Sequence, residues 1–225
     1  MNEIPSSAFT DIITELVRRP IQQNNYRNKA GNGKSQAFGL VNRRCLPPDY
    51  SRNNWLRPYL YKLLLDFGNQ YVDISFNSIT LNQDYRAEKH YDKHNGGDSF
   101  LVAFGDYTGG DLLIHEGDLS GNHNIRHKPI KTDFSKVLHS VDKYEGNRYS
   151  LVYYTLTSNR MPKDLPKGSI RQEGNKYYFY RGEEKITKGL PHPLRDRTRE
   201  EILRTAKEKK ANAESTQTDF EVSFQ

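Results

Sequence analysis

From residue 71 to residue 155 the chain is built of short runs rich in β-branched and aromatic residues, with no helical period between them. The runs are Val72–Ile79, Phe100–Phe104, Asp111–Ile114 and Arg148–Thr155, and clusters of Gly, Asn and Asp separate them. Strands that follow one another without crossover helices bury a face by pairing antiparallel and closing onto a second layer. The predicted class is therefore mainly β with flanking helices (α+β), an antiparallel sandwich or barrel.

The helices precede this region. Residues Ala8 to Val17 carry apolar groups at helical spacing, with Ser6 or Ser7 as cap and Pro20 as stop. A second helix is expected from Asn53 as N-cap through Trp55, Leu60, Leu64 and Phe67, with Gly68 as its C′ residue and a bend near Pro58. It is expected to cover the outer face of a sheet. Residues 21–35 are polar and aperiodic and read as a loop. Arg43, Arg44, Arg52 and Arg57 around Pro47-Pro48 read as a solvated loop or, alternatively, a phosphate-facing patch. Past Thr157, Pro162, Pro166 and Gly168 form a linker. A meander follows, with runs Ser169–Gln172, Lys176–Arg181 and Lys185–Thr187. Thr198-Arg199-Glu200-Glu201 has the form of a capping box before a helix reaching Ala206. The expected division is 1–158 for the main domain, 159–212 for a basic and aromatic extension, and 213–225 for a polar tail.

Hydrophobic residues make up only 34% of the 225, but 15 Tyr and 10 Phe can fill a core. Cys45 is the one cysteine, which excludes an intrachain disulfide and a zinc finger and fits a reducing compartment. The start has no basic segment followed by an apolar one, and the run at Leu63-Leu64-Leu65 is far too short to span a bilayer. The expectation is an intracellular protein, nuclear or cytoplasmic, neither secreted nor membrane-bound. A net charge of +6 permits contact with nucleic acid without requiring it.

The chemistry concentrates between His90 and Ser150. On a strand, residues two apart point to one face, so His90 and Asp92 can converge on one metal ion. A bare His-x-Asp recurs by chance and, alone, reads more readily as exposed polar residues on an edge strand. A second histidine from a distant strand, His139, would complete a facial triad, which leaves positions open for oxygen at Fe(II). Nine residues past His139, Arg148 and Ser150 would share the inward face of the next strand, presenting a guanidinium fork and a hydroxyl to one carboxylate. A buried arginine without a carboxylate is costly, and a bound dicarboxylate such as 2-oxoglutarate supplies one. His94, His115, His123 and His127 lie in turn-rich or solvent-facing segments and His192 lies between prolines, so all five are left out of the metal site.

The ordered set His90-Tyr91-Asp92, Ser99, Gly105-Asp106-Tyr107-Thr108-Gly109-Gly110-Asp111-Leu112, His139 and Gly146-Asn147-Arg148-Tyr149-Ser150-Leu151-Val152 resembles the 2-oxoglutarate/Fe(II) dioxygenase superfamily. The Gly-Asp-Tyr-Thr-Gly-Gly run with its distal arginine resembles the TET/J-binding-protein group and its viral and algal relatives. The likeness covers residues 70–156. It implies a double-stranded β-helix (jelly-roll) core, with Fe(II) on His90, Asp92 and His139. The 2-oxoglutarate carboxylate would meet Arg148 and Ser150, and O2 would be consumed as 2-oxoglutarate becomes succinate and a C–H bond is oxidised. It also implies a cofactor or substrate contact from a polar residue on the strand leading into His90, such as Asn77 or Asn82. Asp106 and Tyr107 are expected to serve the turn. The prolyl hydroxylase group usually carries Lys where this chain has Arg148, a departure from that group.

The expected substrate is a methylated nucleobase, a 5-methylpyrimidine in DNA or RNA, which a duplex would have to flip out to present. Two stretches interleave basic and aromatic residues in a manner suited to a phosphate backbone: Arg43 to Tyr61, and Arg171, Lys176, Tyr177, Tyr178, Tyr180 and Arg181. Hydroxylation of a protein side chain, prolyl or lysyl, is the alternative. A degenerate fold kept only for binding is disfavoured by the intact triad and Arg148.

Overall fold

The computed structural model describes residues 2–21, 31–43 and 46–187. The expected helix from Thr198 and the tail from Ala213 lie outside the described residues, as do Arg44, Cys45 and His192. Helix α1 (Thr10–Arg18) is followed by strands β1 (Gly31–Arg43) and β2 (Leu46–Tyr50), the short α2 (Asn53–Leu56) and α3 (Pro58–Tyr71). Strands β3 (Ser78–Ala87), β4 (Ser99–Gly109), β5 (Leu112–Ile114), β6 (Gly121–His123), β7 (Ile130–Thr132), β8 (His139–Val141) and β9 (Tyr144–Tyr154) come next. A meander of β10 (Gly168–Glu173), β11 (Lys176–Arg181) and β12 (Glu184–Ile186) completes the described chain.

A six-stranded sheet runs β2-β1-β3-β9-β4-β7, and a three-stranded sheet runs β6-β5-β8. The bridge between His90 and His139 adds one more rung to the small sheet, at the outer side of β8. From β3 the chain crosses to the small sheet at His90 and returns for β4. It crosses again for β5 and β6, returns for β7, crosses for β8 and returns for β9. Two antiparallel sheets wound from one chain in this alternation make a double-stranded β-helix, the jelly-roll core expected.

Period-2 geometry gives each long strand two faces. On the outer face of the large sheet, Phe9 stacks on Phe104 at 4.5 Å and meets Phe67 at 5.1 Å, while the Tyr153 hydroxyl donates to the Leu64 carbonyl at 2.7 Å. Thus α1 and α3 cover that face. The inner face turns Leu101, Ala103 and Tyr107 toward Leu112, Ile114, Ile125 and Phe134, which form the inter-sheet core. On β3 and β9 the inward positions are Asn82, Arg148 and Ser150, so one end of the sandwich interior is polar.

Several expectations are corrected. Residues 31–35 are strand, because Gly31 and Gly33 let the β3 backbone approach where a side chain would collide. The strand expected at 72–79 begins only at Ser78 and runs to Ala87. Its polar inward residues hid it from an apolar pattern. The expected single helix from Asn53 is two, broken at Arg57 (φ −134°, ψ 54°), since the residue before a proline is driven out of helical geometry. Asn53 makes no side-chain cap, and Gly68 is interior to α3. Its lack of a Cβ admits the Phe76 and Tyr153 rings, which would lie 2.6 and 2.8 Å away. Of the arginines read as solvated or phosphate-facing, Arg57 and Arg43 are tied into the fold, Arg52 is exposed, and Arg44 lies outside the described residues. Arg57 is buried against Glu15 (3.7 Å) and Gln36 (3.0 Å), and Arg43 pairs with Asp49 at 3.1 Å.

The meander lies against α2 and α3, where the Phe179 ring meets Tyr50, Trp55 and Tyr61. Three of its basic residues form ion pairs within the protein, and Lys176 is exposed. Arg171 forks onto Glu183 at 2.8 Å through two bonds, Arg181 reaches Asp49 at 3.5 Å, and Lys185 pairs with Glu173 over the Tyr178 ring.

Candidate metal centre and its cavity

His90 and His139 face each other across one rung of the small sheet. Their backbones exchange two hydrogen bonds, N–H of His90 to O of His139 at 3.0 Å and the reverse at 3.1 Å. The rings are 4.3 Å apart between centroids. Each ring sets Nδ1 against a carbonyl two residues upstream, Glu88 at 2.7 Å and Val137 at 2.9 Å. A carbonyl has no proton to give, so Nδ1 is the donor and the Nε2 lone pair is the one suited to a metal ion. Burial holds His139 below the usual histidine value, favouring the neutral ring that binds metals.

Asp92 follows on the same segment, fixed by its N–H bond to Phe134 O at 3.0 Å. Its Oδ1 lies 3.5 Å from His90 Nε2, and its Oδ2 accepts from Asn95 Nδ2 at 3.2 Å. Asn95 Nδ2 also reaches Ser99 Oγ at 3.0 Å, so the amide braces one carboxylate oxygen and leaves the other facing the histidines. Ligand atoms of His90, Asp92 and His139 all lie within 4.8 Å of one another, a spacing suited to one ion.

These three residues line a cavity of about 540 Å³ together with Asn82, Arg148 and Ser150. Arg148 is 2% exposed, and its Nε and Nη2 have no hydrogen-bond partner among the described residues. Its guanidinium lies over the Tyr107 and Tyr144 rings at 5.5 and 5.7 Å. Burial draws its pKa below the usual arginine value, and the two phenols oppose the shift. Ser150 and Asn82 sit opposite each other on β9 and β3, with Asn82 Nδ2 donating to Ser150 Oγ at 3.2 Å and Asn82 Oδ1 unpartnered. The open donors of the buried cation, Nε and Nη2 of Arg148, would be satisfied by an anion with several acceptor oxygens, whereas Asn82 Oδ1 is itself an acceptor and takes a donor.

All six sequence-predicted site residues therefore meet in one cavity. Asn77 does not: its amide pins residue 156 and Ser78 instead. Tyr107, expected to serve a turn, is a buried strand residue that seats Arg148. The alternation Leu101, Ala103, Tyr107 carried that signal. Asn95, Tyr144 and Gly110 were missed. Gly110 (φ +72°) is where a Cβ would stand 3.0 Å from Arg148 Cδ and Nε, so the glycine pair makes room for the arginine stem. Among the histidines left out, His115 bonds Ser140 Oγ at 2.9 Å and His94 lies exposed at the cavity mouth. His127, expected to face solvent, is half-buried and stacks on Phe9 at 5.2 Å.

Fold and site together define a double-stranded β-helix protein with a two-histidine, one-carboxylate cluster facing a buried arginine. No protein-family model matches the chain, and no curated protein matches it. Similar solved structures include NgTET1 in complex with 5mC DNA, at TM-score 0.48 and 13% identity over 70% of each chain. A 2OG-Fe(II) oxygenase-family oxidoreductase from Burkholderia pseudomallei has TM-score 0.42 and 16% identity over 66% of this chain and 79% of that one. A Pseudomonas putida prolyl-4-hydroxylase has TM-score 0.43 and 14% identity, over 69% and 89%.

Proposed function

We propose that this protein is an Fe(II)- and 2-oxoglutarate-dependent dioxygenase. The observation that carries the reading is Arg148, buried and short of partners in the same cavity as the His90, Asp92 and His139 cluster. The donor set fits the metal, since two neutral imidazoles and one carboxylate suit Fe(II) and leave coordination positions open. The anchor fits a dicarboxylate. When bound, iron and 2-oxoglutarate supply oxidation of a C–H bond by O2 coupled to decarboxylation of the 2-oxo acid to succinate. Nε2 of both histidines and Oδ1 of Asp92 would hold the metal, and Asn95 would keep that carboxylate turned. Arg148, seated on Tyr107 and Tyr144, would receive the distal carboxylate of 2-oxoglutarate with Ser150, whose hydroxyl Asn82 orients. Val152, Leu101 and Leu112 line the same cavity and keep its walls dry, which strengthens the charge pairing at Arg148.

The substrate reading is a methylated nucleobase, a 5-methylpyrimidine in DNA or RNA. It is supported by the motif resemblance, the net charge of +6 and the Tyr85, Tyr91 and Tyr154 side chains that line the cavity and offer faces to a planar ring. Fe(II)-dependent succinate formation from 2-oxoglutarate by the wild type, lost in His90→Ala and Arg148→Ala, is the expected result. Full turnover in His90→Ala would remove the metal assignment. Nucleoside and peptide mass spectrometry after incubation distinguishes a base from a protein side chain, and products on peptides alone would remove the nucleobase.

A further inference from the structure

Beside the metal cavity a second, open groove of about 640 Å³ is lined by Asn42, Arg43, His94, Ser158, Asn159 and Arg160. Asn42 and His94 line both spaces, so the groove begins where the cavity ends. Its position is tied to the metal cluster through the backbone. The Thr157 N–H donates to the His94 carbonyl at 2.9 Å, the Gly96 N–H to the Thr155 carbonyl at 2.8 Å, and Asn95 bridges residue 156. The segment carrying Asp92 and the wall of the groove are thus one stitched unit.

No carboxylate lines the groove among the described residues. Nearby Asp49 is shared between Arg43 at 3.1 Å and Arg181 at 3.5 Å, so two guanidiniums meet one carboxylate and a positive charge is left over. Arg160 is exposed, and its guanidinium has no ion pair or hydrogen bond among the described residues. Around these cations stand the side-chain amides of Asn42 and Asn159 and the hydroxyl of Ser158, more donors than the two oxygens of a carboxylate accept. A tetrahedral oxyanion uses them better. We infer that this groove is a phosphate-binding subsite, which seats a phosphate of the substrate while the group to be oxidised enters the metal cavity.

The inference rests on the oxygenase reading for what lies in the cavity, but its test does not. Binding of a fluorescein-labelled oligothymidylate is followed by anisotropy with protein free of iron and 2-oxoglutarate, across a salt series. Wild type should bind with an affinity that falls as salt rises. Arg160→Ala should weaken binding by about tenfold, the weight of one hydrogen bond between charged groups, and flatten the salt dependence by about one unit of slope. Arg160→Glu should weaken it further. Competition by thymidine monophosphate at a phosphate concentration equal to that of the oligonucleotide would assign the subsite to free nucleotides; failure to compete would assign it to a strand. Unchanged affinity in both Arg160 variants overturns the proposal, as does equal binding and displacement by oligoglutamate. Absence of succinate formation by a wild type that still binds through Arg160 would remove the oxygenase reading and leave the groove standing.

Discussion

Gly110→Ala tests how the arginine anchor is built. Gly110 lies at φ +72°, and a Cβ on it would stand 3.0 Å from Arg148 Cδ, Arg148 Nε and Tyr144 Cβ. Two costs follow. The left-handed backbone costs an alanine about 1–2 kcal/mol of stability. The methyl also presses the arginine stem away from its seat, so the fork loses alignment with the dicarboxylate. A charge-assisted hydrogen bond is worth about 1.5–3 kcal/mol, which is about a 10- to 100-fold rise in KM for 2-oxoglutarate. Gly117→Ala separates the two costs, since Gly117 lies at φ +81° with no atom within 4 Å of the added Cβ. Both variants should lose similar stability in urea. Only Gly110→Ala should raise the KM read from succinate formation, with kcat at saturating co-substrate much less affected. Equal KM in the two alanine variants would refute the steric link between the glycine turn and Arg148.

Asn95→Ala removes the brace on Asp92 and should weaken Co(II) binding, followed by its visible absorption, by about 10- to 100-fold, with the fold unchanged by circular dichroism. Arg57→Ala leaves Glu15 buried without its cation and should cost about 3–5 kcal/mol in urea unfolding, whereas Arg57→Met with Glu15→Leu should recover much of it. Burial, reinforced by Arg126, holds His127 below its ordinary value of 6.5. The unfolded chain therefore takes up a proton that the folded chain refuses, so stability is complete above that value and declines as pH falls through the window beneath it. In metal-free protein His127→Asn should flatten this decline in part, the remainder belonging to His139, which shifts in the same direction.

What the sequence disclosed and what it concealed follow from the same physics. Arg148 and Ser150 were legible because strand periodicity assigns side chains two apart to one face; His90 and Asp92, expected on a strand, lie outside the named strands with His90 on an isolated bridge, and they and His139 were legible from their order along the chain. The covering helices and the meander were legible from apolar spacing and from Gly174 and Gly182, both at φ 59° in tight turns. Strand β3 was misplaced because its inward residues line a polar cavity and therefore lack the apolar alternation that marks a strand against a core. Strands β1 and β2 were both missed, β1 in part because Gly31 and Gly33, which admit a neighbouring backbone, look like loop glycines, and β2 because Pro47-Pro48 reads as a loop. Asn95 was illegible because its role depends on a turn that folds it back onto Asp92. The ion pairs of the meander were illegible for a related reason: Glu173, Glu183 and Asp49 stand far along the chain or across a turn from Lys185, Arg171 and Arg181, and only the folded register joins them.

The single rung joining His90 to His139 has a consequence for the order in which the molecule opens. Within the small sheet, the segment carrying His90 and Asp92 is held by that rung and by the bond from Asp92 to Phe134, with no ladder on either side. A metal ion binding both histidines would act as a rivet across chain segments some fifty residues apart, closing a long loop at the point where the sheet is thinnest. Its binding energy would be spent on local closure. Amide exchange at His90 and His139 should then be fast in metal-free protein and slow sharply on metal addition, while exchange in the middle of β9 stays slow throughout. The cluster that organises the chemistry would also serve as the clasp of the barrel's mouth.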